Sequence, residues 1–436
     1  MKNKKVVILI SFIFLIGGIF LVNNIYQNNK IDKTKRKKQS NLAIMIKEDG
    51  ATDYTKSSSK NIPIGNYELN YEKSYCKNNG VIGDYDSALG KVSFSFIGTD
   101  SCYLYFDYNA KPGYFIILNN NGGKDTIEAK GTPDFSKIAT TNDGMYAAQD
   151  DLGTSYYFRG AVNNNWVKFG KDSNSNDMYW RIIRINGDGS IRMIYSGTTA
   201  PTSSTAAVMT GTGTQIGTST FNSSYDNPAY VGYMYIAGEQ HEGSYESAIK
   251  IVIDDWYKST TLETDKTFSR IIVDQIFCND RTASMSTSGT YGEIGSMSTG
   301  ATYYFGAYKR IVADKNPSLI CPAENDKFTE NTSNIGNKLL KYPVGLITVD
   351  EVVMAGGAYG ISNNEYYLYT NQHSWSLSPI HFYSSSTADE FCINSSGSID
   401  NDFVSIIGGI RPVINLSKNI KLSGNGTWNN VYTVIE

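Results

Sequence analysis

Residues 91–97 read Lys-Val-Ser-Phe-Ser-Phe-Ile, so Val92, Phe94 and Phe96 alternate with polar neighbours. A short turn, Gly98 to Ser101, separates them from the strand-like run 102–106, and that spacing predicts a hairpin. With another strand at 67–71, residues 62–123 form a small all-β, sandwich-like module that ends in the Asn/Gly-rich joint 119–123. After a linker, 124–155, a second body runs from 156 to 436 and opens on strands at 156–159 and 166–169. The clearest hairpin follows. Residues 178–185 turn through Asn186-Gly-Asp-Gly189 into 190–195, where Asn-Gly supplies the positive φ such turns need. Ser244 caps a predicted helix whose Ile249, Ile253, Trp256 and Tyr257 share one face. Thr348 and Glu351 make a capping box for a second helix, which Gly356-Gly357 stops. Strand patterns return at 366–369, 391–393 and 413–416, so the expected class is α+β.

The N-terminus follows another pattern. Residues 6–22 are almost unbroken in apolar character behind Lys2, Lys4 and Lys5. At ~1.5 Å per residue they nearly span a bilayer core of ~30 Å. A cleaved signal peptide is the competing reading; the absence of a small-residue cleavage pair favours an uncleaved anchor over residues 1–28. Residues 29–61 read as a flexible basic tether. Residues 1–40 hold nine Lys/Arg against the lone acid Asp32, which leaves the rest of a chain of net charge -3 at -11, a poor match for nucleic acid. The basic cluster after the span, taken alone, holds the body in the cytoplasm. Cysteine placement points the other way. Cys76 with Cys102, and Cys278 with Cys321, bracket strand-rich stretches as two disulfide staples; five reduced thiols are the alternative. The expected location is the cell membrane, single-pass, with the C-terminal body extracellular.

Composition narrows the chemistry. Thirty-two Tyr and 40 Gly in 436 residues suit short strands and turns rather than a helical bundle. Three His and five Cys leave little stock for a metal cluster or a thiol relay, so the expectation is no metal, no cofactor and no enzyme. The late stretch 380–405 combines Tyr and His with Ser, Asp and Asn, as ligand-binding loops do: rigid aromatics give area and small polar groups give adaptable hydrogen bonds. The candidate ligand-binding residues are Ile380, His381, Tyr383, Ser384, Ser385, Asp389, Glu390, Asn394, Asp400, Asn401, Asp402 and Ser405. Trp375 reads as a core anchor, and Arg411 as the holder of a buried carboxylate or carbonyl. Cys392 is left unpaired: a buried small residue, a late oxidation partner or an intermolecular bridge.

A resemblance extends this reading. From about residue 156 the chain resembles a bacterial surface-protein domain of unknown function, with a helix bearing a central Trp, a Trp-x-x-Ser-Pro element, a Val/Ile-x-x-x-Gly stretch and a closing Gly-(Val/Ile)-Arg-Pro. The matching positions are Trp256, Trp375, Ser378, Pro379, Ile393, Gly397, Gly409, Ile410, Arg411 and Pro412. That domain is similar to the C-type-lectin-like fold of formylglycine-generating enzymes and of retroelement-diversified target proteins. The resemblance implies a C-type-lectin-like C-terminal domain with Trp256, Trp375, Pro379, Gly397 and Arg411 in structural roles. The enzymes use a pair of late cysteines where this chain has Cys392 alone, and the calcium-binding tripeptides of true lectins are absent. The expected function is non-covalent capture of a surface protein or glycan by a membrane-anchored protein. An enzyme on the formylglycine-generating-enzyme-like scaffold and a non-catalytic envelope structural protein are the competing classes.

Overall fold

The computed structural model describes residues 41–48, 51–59, 61–63, 67–86, 89–95, 99–108, 112–288, 291, 301–383 and 386–435. The expected anchor, residues 1–28, lies outside them. Among the described residues no helix is long and apolar enough to cross a membrane. The chain divides into two units, Met1–Lys111 and Pro112–Glu436. The architecture is α+β, with many strands and few, short helices.

The first unit packs Ile44, Leu69, Val92, Phe94, Leu104 and Phe106 around Cys102. Its central strand, Ser101–Tyr108, pairs in parallel with Asn41–Lys47 over seven residues, and antiparallel with Tyr67–Leu69 and Tyr75–Cys76. Two expectations change here. The tether assigned to 29–61 contains a strand, because Leu42, Ile44 and Ile46 supply an alternating apolar face that the small core needs. Runs 91–97 and 102–106 are not each other's partners either: Lys91–Ser95 pairs with Val81–Asp86. Cys76 and Cys102 lie directly opposite on paired strands and form a disulfide.

The second unit begins at Pro112 rather than 156. Gly113–Asn120 is a helix that buries Ile117 and Leu118. The expected joint is tied down: Asn121 donates to the Ile117 carbonyl, and Asn120 donates to the Tyr432 hydroxyl. The expected linker includes the strand Asn142–Asp150, paired along its length with Gly153–Gly160. Weak apolar alternation hid that strand, since only Met145 in it is fully buried.

Two sheets make the body of this unit. The larger has eight strands, with the expected hairpin Asp177–Ile185 and Ile191–Tyr195 near its centre and Val413–Leu416 at one edge. The smaller has six: Gly217–Thr220, Ile407–Ile410, Ser374–Tyr383, Thr387–Ile393 and Ile399–Phe403 in that order, with Tyr303–Tyr304 also paired to Ser374–Tyr383. The helix Val349–Met354 packs against strands of both sheets and carries the expected capping box from Thr348 and Glu351. The helix Ala248–Ser259 is capped by Ser247, not Ser244, because it is the Ser247 hydroxyl that accepts from the Lys250 N–H. Trp256 on that helix meets the rings of Trp180 and Tyr195.

Residues 366–369 were expected to be a strand but form a turn, in which Tyr366, Tyr367 and Leu368 are buried. Arg411 donates to the Leu368 and Tyr195 carbonyls, so this guanidinium serves backbone acceptors and ties the turn to the large sheet. Burial holds Arg411 down at about 10.

Candidate functional site

The largest departure from the sequence reading concerns residues 380–405. They were expected to be open loops, yet Ser374–Tyr383, Thr387–Ile393 and Ile399–Phe403 are consecutive antiparallel strands. Serine-rich composition looks like loop, but Ser374, Ser376 and Ser378 are buried in the strand. Ser376 donates to the Phe391 carbonyl, and the Ser378 hydroxyl accepts from the Val349 N–H. A central strand covered on both faces tolerates small polar residues when each finds a partner. Pro379 sits opposite Glu390 between two irregularities of register, which accommodate its missing N–H. Gly397, at φ +80° in the turn after Asn394, faces the Asn363 carbonyl so closely that a Cβ would lie 1.9 Å from its oxygen. Trp375 is buried, with its indole N–H donating to the Ser219 carbonyl.

Strand alternation then sorts the candidates onto opposite faces. Ile380, Asp389 and Glu390 are 1%, 2% and 0% exposed and present no surface to a ligand. Burial pushes the Glu390 carboxyl well above its usual range. Asp400 and Asp402 lie on the Cys392 side of the sheet. Asn394 and Ser405 stand at the turns flanking Ile399–Phe403, and Ser384 and Ser385 lie outside the described residues. His381, Tyr383 and Asn401 remain, and the structure gathers them around the buried Asp389.

Register places Tyr304 opposite His381, His381 opposite Asp389, and Asp389 opposite Phe403. One row therefore crosses four strands, aromatic at each end and polar in the middle. Asn401 donates to Oδ2 of Asp389 at 3.2 Å and accepts from the Tyr359 hydroxyl at 3.0 Å. The Tyr304 ring lies 5.6 Å from His381 and 4.1 Å from Tyr308, while Tyr383 is 5.4 Å from His381. Tyr383 and Phe403 are 52% and 45% exposed. Tyr304, Tyr308, Tyr359 and Phe403 were missed from sequence. The one usable signal was the Tyr303-Tyr-Phe305 run, whose alternation buries Tyr303 and Phe305 and turns Tyr304 outward.

The centre of the row carries little charge. Burial lifts the Asp389 carboxyl to about 7 and lowers the His381 imidazole to about 4. Near neutral pH His381 is uncharged and Asp389 is poised between acid and carboxylate; their 3.6 Å separation is too long for a hydrogen bond. Oδ1 of Asp389 and Nδ1 of His381 have no hydrogen-bond partner. Both atoms are buried and Asp389 is 2% exposed, so the pair supports the row from within and presents no open polar surface of its own.

No family model matches this chain, and no curated protein or solved structure matches it. The site must therefore be weighed on geometry. A concavity elsewhere in this unit is lined by Arg184, Arg192 and Arg310 with Asp150, Asp350 and Glu351. Its charges pair with one another: Arg184 with Asp150 at 2.7 Å and with Glu351 at 2.9 Å, Arg192 with Glu351 at 2.6 Å, and Arg310 with Asp350 at 2.9 Å. Paired in this way they tie strands to the Val349–Met354 helix, whereas the tyrosine row presents the exposed rings of Tyr383 and Phe403.

A pH prediction follows from Asp389. Folding raises this pKa from 3.8, so the folded state holds the proton more tightly. The resulting stabilisation is fully present below the unfolded value and is lost as pH rises through about 7. At ~1.4 kcal/mol per pKa unit, discounted for partial solvation, the ionised group costs on the order of 2 kcal/mol. D389N should gain in stability relative to the parent between pH 4 and pH 8, as read from denaturant midpoints at the two pH values.

Proposed function

We propose that this chain is a membrane-anchored cell-surface protein, with a C-type-lectin-like C-terminal domain, that captures a glycan non-covalently. The observation that carries the reading is the row Tyr304–His381–Asp389–Phe403, with Tyr308, Tyr359, Tyr383 and Asn401 around it. A sugar ring offers an apolar face of C–H groups and an equator of hydroxyls. Tyrosine faces suit the first, and the tyrosine hydroxyls with the partly exposed Asn401 amide suit the second. Rigid strands hold these side chains, so little ordering is needed on binding. The anchor reading rests on residues 6–22, and the extracellular reading on the two disulfides, which persist in oxidising surroundings. The enzyme alternative has less support, because Cys392 is the one free cysteine and is buried.

The test is a glycan array probed with the purified full chain, followed by calorimetry on the best hit. Y304A and F403A should each weaken binding about tenfold, equivalent to ~1.4 kcal/mol. I380V, on the buried side, should leave it unchanged. A hit that both aromatic variants bind as tightly as the parent would remove the row from the reading, and turnover of the bound glycan would favour the enzyme class.

A further inference from the structure

The opposite face of the same three strands carries a second arrangement, separate from the glycan row. Cys392 is 2% exposed and is the free cysteine of the chain. Register sets Cys392 opposite Asp400, with Asp402 one step along the same face, and sets Trp375 opposite Cys392 on the other side. His373 stands two residues before Trp375 and packs its ring edge-on against the indole at 5.1 Å. The result is that ligand atoms of His373, Cys392 and Asp402 all lie within 4.8 Å of one another. Nε2 of His373 is 3.5 Å from Oδ2 of Asp402.

Three features separate this cluster from ordinary polar packing. Both ring nitrogens of His373 are buried and neither has a hydrogen-bond partner, although buried imidazoles normally find one. The ring is held in place: Gln215 Nε2 and the Gly409 N–H both donate to the His373 carbonyl, at 2.7 and 3.2 Å. At Gly408 an added Cβ would come within 2.5 Å of Nδ1 and Cε1, so that backbone closes one edge of the ring and leaves Nε2 facing Asp402. Among the described residues, Asp402 is in no ion pair with a Lys or Arg, so the cluster has acids without a fixed cation. The other grouping of this kind, Cys76, Asp100 and Cys102, has both thiols consumed in a disulfide.

We propose that His373, Cys392 and Asp402 form a binding site for one thiophilic divalent cation of the zinc type. One sulfur, one nitrogen and one oxygen ligand suit a four-coordinate ion, with the fourth position left to water or an external ligand. The separations need to shrink modestly, since bonds of about 2.0–2.3 Å put tetrahedral ligands some 3.5 Å apart. Binding exchanges the thiol proton for the metal: the S–H bond breaks, S–metal forms, and the proton leaves to solvent. The site would also give the odd cysteine of an exported chain a purpose, since a metal-held thiolate is shielded from oxidation and disulfide exchange. The sequence reading expected no metal because three His and five Cys leave little stock for a cluster; positions 373, 392 and 402 come together only through strand pairing.

The test uses the full chain, purified with its disulfides intact, after a thiol assay in denaturant has shown one free thiol. Cobalt(II) is the probe, because a thiolate ligand adds a near-ultraviolet charge-transfer band. The expected result is one equivalent of cobalt with that band, displaced by zinc(II). C392S should abolish the band. H373Q and D402N should each weaken cobalt binding at least tenfold; D402N changes a partly exposed side chain, so near-ultraviolet circular dichroism can verify that its fold is intact. No band in the parent with its thiol free, or full affinity in both H373Q and D402N, overturns the proposal. Glycan binding in excess chelator reports on the tyrosine row independently of this outcome.

Discussion

E351A is expected to destabilise the second unit by about 3–5 kcal/mol, the range for breaking a buried ion pair from one side. Arg184 and Arg192 lie directly opposite each other on paired strands, where like charges repel. The Glu351 carboxylate stands between them, 2.9 and 2.6 Å from the two guanidiniums, and its side chain is buried. Removing it leaves two buried cations facing one another, while the capping box on the Val349–Met354 helix is lost as well. Burial alone would raise the Glu351 pKa, but Arg192 and Arg184 hold it below the ordinary carboxylate value of 4.5. The stabilisation is therefore present above about 4.5 and is lost as pH falls through the lower folded value. Urea midpoints at pH 7 and pH 3 check both statements: the gap between parent and E351A should be wide at pH 7 and narrower at pH 3. An equal gap at both would mean that the carboxylate charge is not what matters.

Loss of the second disulfide should be nearly as costly. Cys278 and Cys321 close a loop of 43 residues, and the chain-entropy relation gives about 4 kcal/mol for that length. The double variant C278S/C321S tests more than stability, because the closed loop carries Tyr303–Tyr304 and Gly306–Tyr308. Those elements hold one wall of the tyrosine row, with Tyr304 opposite His381. The double variant should show a lowered denaturant midpoint and about tenfold weaker glycan binding at a temperature where it is still folded. Unchanged affinity in the folded variant would show that strand pairing alone positions Tyr304. An unchanged midpoint would remove the loop-closure account.

The two effects share a cause. Both the ion network and the disulfide fasten segments with little regular structure to the sheets, since the described residues between Phe277 and Phe328 form only short elements. Few ladder hydrogen bonds hold such segments, so side-chain ties must do so.

Much of the frame was legible in the chain itself. Turn chemistry at Asn186–Gly189 specified the central hairpin, the Thr348–Glu351 box specified a helix start, and two cysteine pairs were drawn correctly from the stretches they bracket. These are local signals, or follow from which strand-rich stretches the cysteines bracket. The candidate site was legible only in part: His381, Tyr383 and Asn401 were named, but together with buried Ile380, Asp389 and Glu390 and without Tyr304, Tyr308, Tyr359 and Phe403. Composition identifies residue types suited to binding, yet cannot say which side of a strand faces solvent when both sides are mostly covered.

The sequence by itself determined the strand-rich α+β class, the principal turns and caps and the cysteine pairing, because each depends on residues close in the chain or on the stretches that the cysteines bracket. Tertiary structure alone decided the rest. Which strands became neighbours placed Tyr304 beside His381, and set His373, Cys392 and Asp402 together on the reverse face. A step of one residue along a strand moves a side chain through the sheet, so neighbouring residues such as Phe382 and Tyr383, 1% and 52% exposed, meet opposite environments that only long-range pairing can assign.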